Sequence, residues 1–265
     1  MAEETVVVSE ADRMTKVGAA IDVFRRAATE EDRDRRIAII REALEVSQDC
    51  VEAWLALAQE FGDSLEQVRD YLQEAVKAGE RLFANHLDEW KGKFWNVAQT
   101  RPYMQARMGL GQVLWELGER SAAVGLLKGT IELNPMDHQN VRYVLLKAYA
   151  DLKQYDDALQ LIEQYSEEQS TVMAYGKLLA AFAVYGDSLM ARSAFLAARK
   201  QNAHVMDYIL GLRQMPQKLP KTAQAGDEAE AIRYVAVFYD DFEEVDGIDD
   251  FLRAQKKRRG KKEQE

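Results

Sequence analysis

The stretch that decides the fold reads Leu110-Gly111-Gln112-Val113-Leu114-Trp115-Glu116-Leu117-Gly118-Glu119-Arg120-Ser121-Ala122-Ala123-Val124-Gly125-Leu126-Leu127. Apolar residues recur at three and four positions on both sides of the turn triplet Gly118-Glu119-Arg120, which predicts two helices joined by a tight turn. The unit then repeats. Ala123, Ala158 and Ala191 are 35 and 33 residues apart, and each opens the second helix of a pair. Four residues on stand Leu127, Ile162 and Phe195, and seven on stand Thr130, Tyr165 and Ala198. Thirteen residues before each alanine stand Leu110, Leu145 and Leu178, and nine before stand Leu114, Tyr149 and Phe182. A small alanine lets paired helices approach, large neighbours fill the gap, and each hairpin buries its remaining apolar face against the next. A period of this kind predicts an all-α solenoid of helical hairpins.

Working outward, Val51 to Ala58, with Trp54 at the large position, reads as another first helix, and Ile39 to Val46 as a second helix before it. Ser64 to Phe83 is a lengthened second helix, opened by a capping box of Ser64 and Gln67. Residues 84–100 interrupt the period, and Glu10 to Ala28 is expected as a partner or cap helix. Thr5-Val6-Val7-Val8 is the only β-like piece. The expectation is roughly five hairpins. The four prolines fall where helices should break: Pro102 before the regular array, Pro135 at the close of a repeat, Pro216 and Pro220 after the array. The expected layout is a flexible N-terminus over 1–9 and one helical-repeat domain over 10–252. Within that domain the regular repeats cover about 104–203 and C-terminal capping helices about 204–252. A basic, disordered tail follows over 253–265.

The array resembles the tetratricopeptide repeat, a helical hairpin of 34 residues with a large residue, Leu-Gly, Tyr, Ala, Phe, Ala and Pro at fixed offsets. A closer resemblance lies in Lys93-Phe94-Trp95-Asn96-Val97 with Arg101-Pro102-Tyr103, Leu114-Trp115-Glu116-Leu117-Gly118, and Leu133-Asn134-Pro135-Met136-Asp137-His138-Gln139-Asn140-Val141-Arg142-Tyr143. It continues through Asn202-Ala203-His204-Val205, Tyr208 to Gly211, and Gly226 to Ala231 with Tyr234. In that order these stretches are similar to the tetratricopeptide region of the suppressor of tumorigenicity protein family and its bacterial relatives, over roughly residues 93–252. Where the family usually has Asn-Asp-Asn-Gln after the proline turn, this chain has Met136-Asp137-His138-Gln139, and Phe242 stands where relatives tend to have Trp. The resemblance implies an interaction scaffold rather than a reaction. Eukaryotic members carry membrane spans, and the lack of one here implies a soluble relative of the bacterial type.

Composition agrees with that class. The chain has 265 residues, 47% hydrophobic and 30% charged, which is too apolar for a disordered chain, and it has no run of about 18 apolar residues. Glu3 and Glu4 argue against a secretory signal, and one cysteine, Cys50, fits a reducing compartment. The expected location is therefore cytoplasmic, with no membrane partner. Residues 1–252 hold 28 basic and 43 acidic residues, a net −15 that disfavours duplex DNA. Arg253, Lys256, Lys257, Arg258, Arg259, Lys261 and Lys262 form a basic run, so nucleic acid is a conceivable partner only through this tail.

Enzyme signatures fail one by one. Gly109-x-Gly111 lacks a third glycine, no Walker loop or His-Glu-x-x-His occurs, and His86, His138 and His204 are too scattered for zinc. The run Asp240-Asp241-Phe242-Glu243-Glu244 lacks EF-hand spacing and reads as a solvated helix end. No catalytic residue, metal or cofactor is expected. Repeat register instead puts Gln105, Met108, Gln112 and Trp115 from one first helix, and Asn140, Tyr143, Lys147 and Asp151 from the next, on a concave face. Aromatics there supply area and amides pair with backbone, which suits a peptide or protein segment. A second cluster, Arg101, Tyr103, Arg107, Asp137, Gln139 and Arg142, reads as an anion site or as an internal network in which Arg107 or Arg142 pairs with Asp137. Self-association is a further expectation, because solenoid ends expose apolar faces unless capped. The function expected is a non-catalytic protein-interaction scaffold, the alternative a nucleic-acid-associated protein using the tail.

Overall fold

The computed structural model describes residues 9–60 and 62–262, and the described residues contain helices and no strand. The β-like Thr5 to Val8 lies outside them. The helices divide between two compact units, 1–141 and 142–265.

The first unit holds α1 (Glu10–Arg25), α2 (Arg33–Val46), α3 (Val51–Glu60), α4 (Leu65–Phe83), the single turn α5 (Leu87–Trp90), α6 (Arg101–Glu116) and α7 (Arg120–Leu133). Helix starts are set by local chemistry. Ser9, Asp32 and Ser64 each accept a hydrogen bond from a backbone N–H three residues on, which satisfies donors that the first turn leaves open. Helices α1 and α2 pack together, α3 and α4 form a hairpin, and α4 also lies along α6, which pairs with α7. The close approaches have identifiable causes. At Gly79 a Cβ would stand 2.2 Å from the Tyr103 ring, and at Gly111 one would stand 2.7 Å from Leu127. Residues 84–100, where the period breaks, fold into α5 and short 3-10 turns. There Phe94 is buried and its ring meets Phe83 and Tyr103 at 6.2 and 6.1 Å.

The second unit holds α8 (Val141–Asp151) from its second residue on, then α9 (Tyr155–Gln164), α10 (Thr171–Tyr185), α11 (Leu189–Gln201), α12 (Val205–Ile209), α13 (Glu228–Glu243) and α14 (Ile248–Lys262). Helix α10 packs against both α9 and α11. Gly176 lets α10 approach α8, since a Cβ there would lie 2.8 Å from Leu146. Helix α13 then packs on α12 and α10, and the Phe251 ring of α14 lies tilted 4.8 Å from that of Phe182. Residues 211–225 connect α12 to α13 along the surface, almost entirely exposed. The repeat register holds in three dimensions: Ala123, Ala158 and Ala191 are buried, as are Leu127, Ile162 and Phe195, and Leu110, Leu145 and Leu178. The protein is thus all-α, with helical hairpins of the tetratricopeptide type.

The basic tail differs from its expectation. Residues 253–262, expected as disordered, continue α14. Ile248, Phe251 and Leu252 anchor the helix in the core, and Arg253 and Lys256 reach back to Asp249 and Asp207, which offsets repulsion within the basic run. The last three residues, and residues 1–8 of the expected flexible N-terminus, lie outside the described residues.

Candidate functional site

Helix α6 carries Gln105, Met108, Gln112 and Trp115 at steps of three, four and three, so they share one face. Gln105 and Gln112 are exposed, and Met108 and Trp115 are half-buried. The Arg120 guanidinium lies 4.0 Å over the Trp115 ring and donates to the Trp115 carbonyl at 2.6 Å, so one ring face already holds a cation. Gln139 brings Nε2 to 4.0 Å from the Met108 sulfur, while its Oε1 is buried without a hydrogen-bond partner. Asn140 is exposed, with a left-handed backbone at φ 59°.

The polar cluster of the same unit is internal. Arg107 donates to Thr130 Oγ1 at 3.1 Å, to the Tyr103 hydroxyl at 3.0 Å and to the Leu126 carbonyl at 3.4 Å, tying α6 to α7. It therefore spans its own hairpin rather than pairing with Asp137. Burial raises the Tyr103 phenol, which keeps it neutral beside that guanidinium. Arg101 donates to the Trp95 carbonyl at 3.1 Å with its guanidinium 5.6 Å from the Trp95 ring centre. Asp137 is buried, and its Oδ1 accepts the Val141 N–H at 2.8 Å, an Asx cap on the start of α8.

In the second unit the predicted side chains meet partners of their own chain. Arg142 pairs with Glu168, and its guanidinium lies 4.5 Å from the Tyr143 ring centre and 5.4 Å from that of Tyr165. The Tyr143 hydroxyl donates to Glu168 as well. Burial would raise the Glu168 carboxyl, but its bonds from Tyr143 and Arg142 outweigh this and lower it. Lys147 pairs with Asp151 and reaches Asp241 of α13 at 3.1 Å, with Phe238 of α13 5.7 Å below the ammonium. Thus α13 stands over the part of α8 that carries Lys147 and Asp151. Asp241 is a correction to the reading of Asp240 to Glu244 as solvated: its side chain is 4% exposed, and burial pushes its carboxyl up to about 6 against the pull of Lys147. The missed signal was spacing, since Tyr234, Phe238, Asp241 and Phe242 fall on one helical face.

Among the described residues no group of three His, Cys, Asp or Glu side chains could hold a metal ion. Cys50 is buried, and burial pushes its thiol up to about 11, far from a reactive thiolate. No helix of the described residues is long and apolar enough to cross a membrane.

Fold and side-chain inventory together define a helical-hairpin repeat protein of the tetratricopeptide type. Its sequence also matches the model of the ST7 protein family over residues 2–258, and the chain belongs to that family. Among curated relatives, the Suppressor of tumorigenicity 7 protein-like of Gallus gallus is 22% identical over 248 residues, which cover 85% of this chain and 44% of the relative. The Bos taurus protein of the same name is 22% identical over 250 residues, with the same coverage. The chain therefore spans less than half the length of these relatives. Among solved structures it is similar to YrrB, a TPR protein with an unusual peptide-binding site, at 16% identity and a TM-score of 0.48. That alignment covers 72% of this chain and 87% of YrrB.

Proposed function

We propose that the protein is a non-catalytic interaction scaffold that docks an extended polypeptide segment on the α6 face of its first unit. The supporting observation is the row Gln105, Met108, Gln112 and Trp115. Two exposed glutamines alternate with a half-buried thioether and indole, on a helix that packs against α4 and α7. Glutamine amides can pair with the backbone of an extended segment, Met and Trp supply apolar area, and the rigid hairpin fixes their spacing. Stacked hairpins present such helix faces in series, which is how repeat folds recognise other chains. Tyr143, Lys147 and Asp151 belong to this reading only as structural residues, because Glu168 and Asp241 engage them.

The test replaces Trp115 and Gln112 together with Ala and measures retention of a polypeptide partner on immobilised protein. The expected result is loss of the partner with an unchanged helical circular-dichroism signal. Retention of the partner by the double variant at wild-type strength overturns the assignment.

A further inference from the structure

We infer that a cavity of about 280 Å³ in the second unit, where α11, α12, α14 and the segment after α12 converge, is a binding site for a phosphate monoester. Four basic side chains from four separate stretches line it: Arg199 from the last turn of α11, His204 at the start of α12, Arg213 after α12, and Lys256 from α14. Phe195 and Met206 also line it; both are buried, and an apolar wall strengthens charge interactions by keeping water away.

Two of these cations already hold a carboxylate of the chain itself. The Asp207 carboxylate lies 2.5 Å from the Lys256 ammonium and 3.6 Å from Arg213 Nε. Arg213 also bonds Glu228. Three permanently charged cations, Arg199, Arg213 and Lys256, therefore line the cavity with one carboxylate, Asp207, and the Arg199 side chain makes no hydrogen bond or ion pair among the described residues. Its guanidinium is a planar donor suited to bidentate contact with a phosphate. The frame is rigid. The N–H groups of Leu212 and Arg213 both donate to the Asp207 carbonyl, at 2.8 and 3.0 Å, and Arg253 donates to the Leu210 carbonyl at 3.1 Å, fixing α14 beside the cavity. Such a volume admits a phosphate and a small attached group, whereas a bare surface lysine cluster would offer no walls.

The experiment titrates the whole chain with inorganic phosphate and with phosphoserine, followed by calorimetry, and compares the wild type with Arg199→Gln and Asp207→Asn. Saturable binding is expected for both probes, tighter for phosphoserine; phosphoserine bound no more tightly than inorganic phosphate overturns the assignment to a monoester. Arg199→Gln should weaken binding about tenfold with a nearly unchanged melting temperature, because the Arg199 side chain makes no hydrogen bond or ion pair that the fold would lose. Asp207→Asn should tighten it, because it removes the competing carboxylate. Absence of saturable phosphate binding at millimolar concentration overturns the site. So does binding that Arg199→Gln leaves intact, or that Asp207→Asn weakens in a variant whose melt shows it folded.

Discussion

The packing account makes its sharpest demand at Gly79. Replacing it with Ala puts a methyl 2.2, 2.6 and 2.8 Å from the Cδ2, Cγ and Cβ of Tyr103. Those atoms are the root of the ring, not a flexible tip. The ring cannot swing clear: it is 2% exposed, lies 5.9 Å from Phe83 and 6.1 Å from Phe94, and its hydroxyl is held by Arg107 at 3.0 Å. Relief would require α4 and α6 to separate by about 1 Å, and overpacking of this kind costs about 1–3 kcal/mol. The helical propensity gained by Gly→Ala returns about 1 kcal/mol. The net expectation is no gain, and a loss of up to about 2 kcal/mol. Gly125 is the control, an exposed mid-helix glycine of α7 with nothing within 4 Å of an added methyl, so Gly125→Ala should gain up to about 1 kcal/mol. Urea unfolding followed at 222 nm gives both numbers from the midpoint at constant slope. The reasoning fails if Gly79→Ala gains stability as Gly125→Ala is expected to, or if Gly125→Ala is destabilised.

Other consequences follow from single contacts. Asp137→Ala removes the carboxylate that holds the Val141 N–H and should cost about 1 kcal/mol in the same urea assay, while Asp137→Asn, which tolerates the positive φ, should keep part of it. Asp241 has a folded pKa raised above its unfolded value, so the folded chain holds its proton more tightly and stability falls as pH rises from about 4 to about 6. Asp241→Asn should therefore gain on the wild type by about 1 kcal/mol between pH 5 and pH 7, a difference absent if the carboxyl titrates normally. Salt separates two modes of association. Partner binding through the α6 face should persist as salt is raised, whereas binding through the basic run of α14 should collapse, and a steep salt dependence of the scaffold's partner would count against α6.

The repeat was legible because its signal is steric. Ala123, Ala158 and Ala191 are small at fixed spacing because the paired helices touch there, and the same contact buries Leu127, Ile162 and Phe195. The helix starts at Ser64, Ser170 and Ser188 follow equally local rules, each serine capping an N–H three residues on. Side-chain partners were less legible, because they depend on contacts between distant stretches. Arg107 finds Thr130 across its hairpin, 23 residues away, and Lys147 finds Asp241, 94 residues away. Repeat register places both side chains on a helix face, but it says nothing of what the rest of the chain lays against that face. The interacting helix here is α13, which the acidic look of Asp240 to Glu244 disguised as solvated surface. The tail illustrates the same limit: a block of like charges reads as unfolded, yet anchoring by Phe251 and Leu252 and ties from Arg253 and Lys256 draw it into α14.

The central claim is that the α6 face receives a polypeptide. A photo-crosslinking amino acid at Gln112, with a second protein carrying it at exposed Lys128 of α7, tests this most directly. The account predicts a discrete crosslinked polypeptide at position 112 that disappears when Trp115→Ala is added, and none of the same species at position 128. Equal crosslinking at both positions, or capture at 112 that survives Trp115→Ala undiminished, would contradict it.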